Sequence, residues 1–181
     1  MRLRFVIALF LFAPPAIAEC PPLPDRSLAR AELLQTLGTA KTFNAGRLAV
    51  SDMWTFWRTA PDQAAQEMLD GGIEAIRYGD LTRAQSVLAR LVAYCPAYSE
   101  GYNQLAFAYF LQEQDDEAER LLMKTLELEP SHFGAFSGLG LIYMRTDRPA
   151  LAQIYLRRGV AANPWLNERS LLEIAPKGDD L

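Results

Sequence analysis

Proline stands at Pro96, Pro130 and Pro164, and alanine at Ala84, Ala118 and Ala152, so two unrelated residue types share one spacing of 34 residues. A fixed period of that length constrains the fold more than any composition does. It specifies a helix–turn–helix unit used three times and stacked into a solenoid. The register gives units at 65–98, 99–132 and 133–166.

What recurs inside the units is what such packing requires. The first helix of each carries bulky residues: Met68 and Ile73, then Tyr102, Leu105 and Tyr109, then Phe136, Leu139 and Tyr143. The eighth position is small each time (Gly72, Ala106, Gly140), where two helix backbones must approach closely. Position 20 is always the recurring alanine, and Leu88, Leu122 or Leu156 follows four residues later on the same face. The recurring proline then ends the second helix, because it lacks an N–H and drives the residue before it out of the helical region. Unit one also keeps a Gly79-Asp80 turn between its helices.

These positions resemble the tetratricopeptide repeat family over about 100 of the 181 residues. The strings 98–103 (YSEGYN) and 129–135 (EPSHFGA) are similar to those of exported bacterial members. The resemblance implies an all-α fold, a right-handed α-solenoid of about three helix pairs at 62–166. A degenerate N-terminal helix pair (19–61) is expected to cap the stack, and a capping helix with a tail (167–181) to close it, because solenoids need atypical end units.

Residues 1–18 read as a secretory signal: Arg2 and Arg4, a short apolar run from Phe5 to Ala13, and small residues at Ala16 and Ala18. The run is too short to span a bilayer, and Glu19 before Cys20 argues against a lipoprotein. The expected location is therefore an exported compartment, the periplasm in a two-membrane bacterium. Losing the signal takes the net charge from −4 to −6, since two arginines and no acids depart. No basic stripe is present, so nucleic acid and anionic lipid are poor partners.

Cys20 and Cys95 are the two cysteines. Export permits a disulfide closing a 75-residue loop and tying down the proline-rich start of the mature chain; the alternative is a buried Cys95 and a free Cys20. Asp25 or Ser27 can cap a first helix over 28–37, closed by Gly38, and a second is expected over 43–59. Met53, Trp54, Phe56 and Trp57 on that second helix read as helical core or as a recognition cluster. A short helix is expected over 165–174.

Chemistry is sparse. His132 is the single histidine, so no His-based metal pair exists and any triad would run through this turn residue. Gly138 and Gly140 lie inside a helix and make no phosphate cradle. No catalytic residue, metal or cofactor is expected. Ser99 and Ser131 are candidate helix caps, with His132 or Glu100 bonding a turn; the same residues could instead form a small polar patch.

In the family the resemblance points to, first helices line a groove that binds peptides. Carried over, the groove residues are Leu69, Ile73, Ile76 and Arg77, then Asn103, Phe107 and Phe110, then Ser137, Leu141, Met144 and Arg145. Members that clamp a chaperone's terminal carboxylate use lysine, asparagine and arginine where this chain has Leu69, Ile73, Phe107 and Leu141, so that clamp is missing. The expected partner is a peptide or helix of another protein; the alternatives are self-filling of the groove, a structural and oligomerising role in an envelope complex, and a hydrolase using His132 or the acidic cluster Asp115, Asp116, Glu117 and Glu119.

Overall fold

A computed structural model describes residues 19–172, and eight α-helices account for most of them. Three pairs realise the 34-residue units: α3 (Gln63–Arg77) with α4 (Leu81–Tyr94), α5 (Ser99–Leu111) with α6 (Asp115–Leu128), and α7 (Phe133–Arg145) with α8 (Pro149–Ala162). Neighbouring pairs pack in sequence order, and the first helices α3, α5 and α7 lie side by side. One continuous core runs through all three, from Leu69, Leu88 and Leu91 to Leu105 and Leu122, and on to Leu139 and Ile142.

The small positions do what the period demands. A Cβ on Gly72 would stand 2.5 Å from the Leu88 side chain, and one on Gly140 2.6 Å from that of Leu156. The turn between helices recurs as well: Gly79, Glu113 and Asp147, each 34 residues apart, have φ of 77°, 60° and 55°. Only unit one places a glycine there, so units two and three each hold an L-residue in the left-handed region at a cost of about 1 kcal/mol. Helix starts are well chosen: the Asp62 and Asp80 carboxylates accept from the N–H groups of Ala65 and Arg83, and α6 opens on three acids that suit its dipole. Ser99 and Ser131 do not cap. Tyr98 stands at the N-cap of α5 without a side-chain bond, and His132 takes that role at α7.

The N-terminal pair departs from expectation. α1 (Ser27–Thr39) continues through Gly38 instead of stopping there, and α2 spans Phe43–Arg58. The two do not stack on unit one as a fourth pair. They run as an antiparallel strap along the edge where successive units join, α1 travelling from unit one toward unit three and α2 returning. Cys20 is disulfide-bonded to Cys95 at the end of α4, with Cα atoms 5.1 Å apart. Arg30 then pairs with Glu129 at 3.1 Å, and the Trp165 indole N–H donates to the Leu37 carbonyl at 3.3 Å. Coming back, Gly46 lies flat against the Trp165 ring, where a Cβ would collide with aromatic carbon. Leu37, Ala49, Met53 and Trp57 share a second core with Phe133 and Leu166.

The physical reason is that α2 buries Ala49, Met53 and Trp57 on one face, and the matching apolar surface lies at the ends of units two and three. Trp165 and Leu166 belong to that contact rather than to a capping helix. A 3-10 turn, Asn167–Leu171, follows and is held to α8 by Gln153 donating to the Leu171 carbonyl. The expected leader at 1–18 and the tail beyond Leu172 lie outside the described residues.

Candidate functional site

The strap meets the stack at a row of equivalent positions. Tyr98, His132 and Leu166 each occupy the last place of a unit, and all three are buried. The Tyr98 hydroxyl donates to the Trp57 carbonyl at 2.8 Å, and burial pushes its phenol pKa well up, so it stays a donor. The His132 ring stacks on Trp57 with centroids 3.9 Å apart. Its Nδ1 accepts the Ala135 N–H, which caps α7, so the proton sits on Nε2, 3.0 Å from Glu100. Glu100 is fully buried and gathers that proton, the amide of Asn103 at 3.1 Å, the amide of Gln104 at 2.6 Å and, more distantly, the Arg58 Nε at 3.7 Å. A buried acid is tolerated because three hydrogen-bond donors and a nearby guanidinium surround it. This polar node joins α2, α5 and α7.

Beside it opens a cleft of about 290 Å³ lined by Phe107, Phe110, Leu141, Ser137, Asn103 and Gln104 of the repeats. Trp54 and Arg58 of α2 form one wall, and Glu168 of the 3-10 turn reaches one edge. Gly134 makes the wall possible, since a Cβ there would meet the Trp54 ring at 2.5 Å. Phe107 is 44% exposed, unusual for an aromatic in a stack that buries Phe133 and Phe136. Asn103 and Gln104 have their amide nitrogens committed to Glu100, while their carbonyl oxygens accept nothing among the described residues. The cleft thus combines apolar walls with two fixed acceptors.

The groove residues named from sequence divide among several environments. Asn103, Phe107, Phe110, Ser137 and Leu141 come together in this cleft. Leu69 does not: it is completely buried in the unit-one core, because its face of α3 turns toward α4. Ile73 and Arg77 line a separate shallow depression with Glu67, Asp70 and Glu74. Ile76 packs against the main core. Met144 is exposed outside the cleft lining, and Arg145 is spent on Asp115 and on the carbonyl and ring of Phe110. Arg58, Gln104 and Glu168 are not among the residues expected from sequence, whereas Trp54 is expected there as helical core or as part of a recognition cluster. The strap residues carry one usable signal, since Trp54 and Arg58 stand four apart on one helical face. Trp54 is the member of its aromatic cluster that faces the cleft, whereas Met53 and Trp57 are core.

Repeat stack, turn chemistry and junction row together define a tetratricopeptide-type solenoid. Residues 99–132 match the sequence profile of the tetratricopeptide repeat. The fold resembles the Arabidopsis OM64 TPR domain (TM-score 0.58, 17% identity, 60% of this chain and 89% of that one). It is similar in the same way to the first TPR of Spaghetti (RPAP3) bound to HSP90 peptide SRMEEVD, at TM-score 0.58 and 19% identity over 60% of this chain and 86% of that one. YrrB, described as a TPR protein with an unusual peptide-binding site, aligns at TM-score 0.53 and 18% identity over 67% of this chain and 68% of its own. No curated protein matches the sequence.

Proposed function

We propose that this protein is a non-catalytic adaptor that binds a segment of a partner protein in the cleft between α2, α5 and α7. The observation that carries this reading is the half-exposed Phe107 beside Phe110 and Leu141, above two carbonyl acceptors that the buried Glu100 holds in place. Apolar walls take side chains and the acceptors take backbone N–H groups, the combination that peptide recognition requires. Peptide binding by structural neighbours of the same fold is consistent with it. Catalysis at His132 finds no support, because that ring is fully buried with both nitrogens engaged.

The proposed location is an exported compartment. The signal-like composition of residues 1–18 and a disulfide between Cys20 and Cys95 support it, since such bonds persist in oxidising surroundings.

Selection from a displayed random-peptide library tests the binding reading. Wild type is expected to enrich sequences with a shared apolar motif, and Phe107→Asp with unchanged helicity by circular dichroism to lose them at least about tenfold in affinity. Equal binding by the folded variant would place the site elsewhere.

A further inference from the structure

The wall that α2 contributes has a chemistry of its own. Arg47, Ser51, Trp54 and Arg58 fall at intervals of four, three and four residues and therefore share one stripe of the helix. The stripe faces open space on both sides of Trp54. A wider cleft of about 660 Å³ is lined by Arg47, Val50, Ser51, Trp54, Thr55, Arg58, Thr59 and, across from them, Gln66 of α3. Trp54 and Arg58 line this cleft and the apolar one alike, so the two adjoin at these side chains.

Charge in the wider cleft is one-sided. Its lining holds two arginines and no carboxylate. Arg47 is exposed and has no ion-pair partner among the described residues. The Arg58 guanidinium lies over the Trp54 ring, 5.1 Å from its centroid, and only its Nε approaches Glu100, at 3.7 Å. Its two terminal nitrogens, the fork that grips a carboxylate, make no hydrogen bond among the described residues. The acids nearby are otherwise placed: Glu100 accepts three hydrogen bonds behind the wall, Asp70 accepts from the Gln66 amide, and Glu168 lines the smaller cleft. In a chain of net charge −4, one stripe that carries Arg47, without an ion-pair partner among the described residues, and Arg58, paired only through its Nε with Glu100 at 3.7 Å, is a local exception beside an apolar cleft.

We propose that the segment bound in this cleft is acidic: an apolar core seated against Trp54, Phe107 and Leu141, with carboxylate side chains toward Arg58 and Arg47. The inference rests on the peptide-binding reading above and adds what selects the partner. The separation of eleven positions between the two arginines places them about 16 Å apart along α2. An extended segment covers that distance in roughly five residues and its side chains alternate faces, so acids about four or six positions apart on the α2 side reach both. Glu168 lines the smaller cleft and disfavours an acid seated beside it.

The test uses the full chain, disulfide intact, and three labelled peptides built on the apolar motif selected by the wild-type protein. They carry glutamates at two positions about four or six residues apart, or glutamines or lysines there. By fluorescence anisotropy the glutamate peptide is expected to bind about tenfold tighter than the glutamine peptide, with the lysine peptide weakest. That advantage should shrink in Arg58→Gln and in Arg47→Gln, persist in Arg58→Lys, and fade as salt rises through 0.15 M, where screening acts over about 8 Å. Circular dichroism and melting temperature of the variants should match wild type, which separates lost charge from lost folding. Equal affinity of wild type for the glutamate and glutamine peptides would overturn the acidic preference while leaving the groove reading intact. If selection returns no motif at all, both readings fall.

Discussion

The repeat stack and the strap are both helical, both apolar on one face and both well buried, yet they are held by different means. The stack is held by repetition: each contact between Gly72 and Leu88, or Gly140 and Leu156, is one instance of a rule. The strap is held by exceptions. Along the row of last positions the stack offers three different side chains, and α1 and α2 use each differently: a hydroxyl bond to Tyr98, a ring stacked on His132, and apolar packing on Leu166. Periodic positions supply the place and non-periodic residues supply the chemistry. The site sits at the meeting of the two, since neither the apolar strip of α5 and α7 nor the arginine stripe of α2 is a cleft alone.

This contrast can be broken most forcefully at the disulfide. Its 75-residue loop ties the strap to α4, and replacing Cys20 and Cys95 by serine is expected to cost roughly 2–4 kcal/mol in chemical unfolding. Hydrogen exchange should show amides of α1 and α2 losing protection first while α5 to α8 keep theirs. If every helix loosens alike, strap and stack are one cooperative unit and the distinction fails.

A smaller change sharpens it. Tyr98→Phe removes one hydroxyl and leaves the buried Trp57 carbonyl without its donor, for an expected loss of about 1–2 kcal/mol. Because Trp57 also stacks on His132, quenching of tryptophan fluorescence should change with it. An unchanged melting temperature and spectrum would mean that this junction does not hold the strap.

The smallest effect belongs to the stack and has the opposite sign. Glu113 is exposed at φ 60°, at the place where unit one has Gly79. Glu113→Gly should stabilise by about 0.5–1 kcal/mol in thermal melting, the relief of left-handed strain outweighing glycine's added freedom in the unfolded chain. The change should leave exchange in α1 and α2 as it was. Destabilisation would show that the repeat rule does not transfer between units.

Much of this was legible without coordinates. The 34-residue period determined three helix pairs, their order, their turns and most of their buried faces, because each such decision is local to one unit and its neighbour. Five of the positions carried over from the family resemblance, Asn103, Phe107, Phe110, Ser137 and Leu141, line one cleft. Leu69 shows where register stops: it holds the same numbered place as Asn103 and Ser137, but unit one turns that side chain into the core.

The path of the N-terminal pair was decided only in three dimensions. Ala49 and Pro61 echo the repeat with a one-residue slip, and that echo says nothing of where the pair docks. The decision lies in contacts such as Leu37 with Trp165, 128 residues apart, and Arg30 with Glu129, 99 apart. No local pattern encodes a partner at that distance. Such contacts exist because the solenoid brings the ends of its units into a row, and the row exists only once the stack has folded.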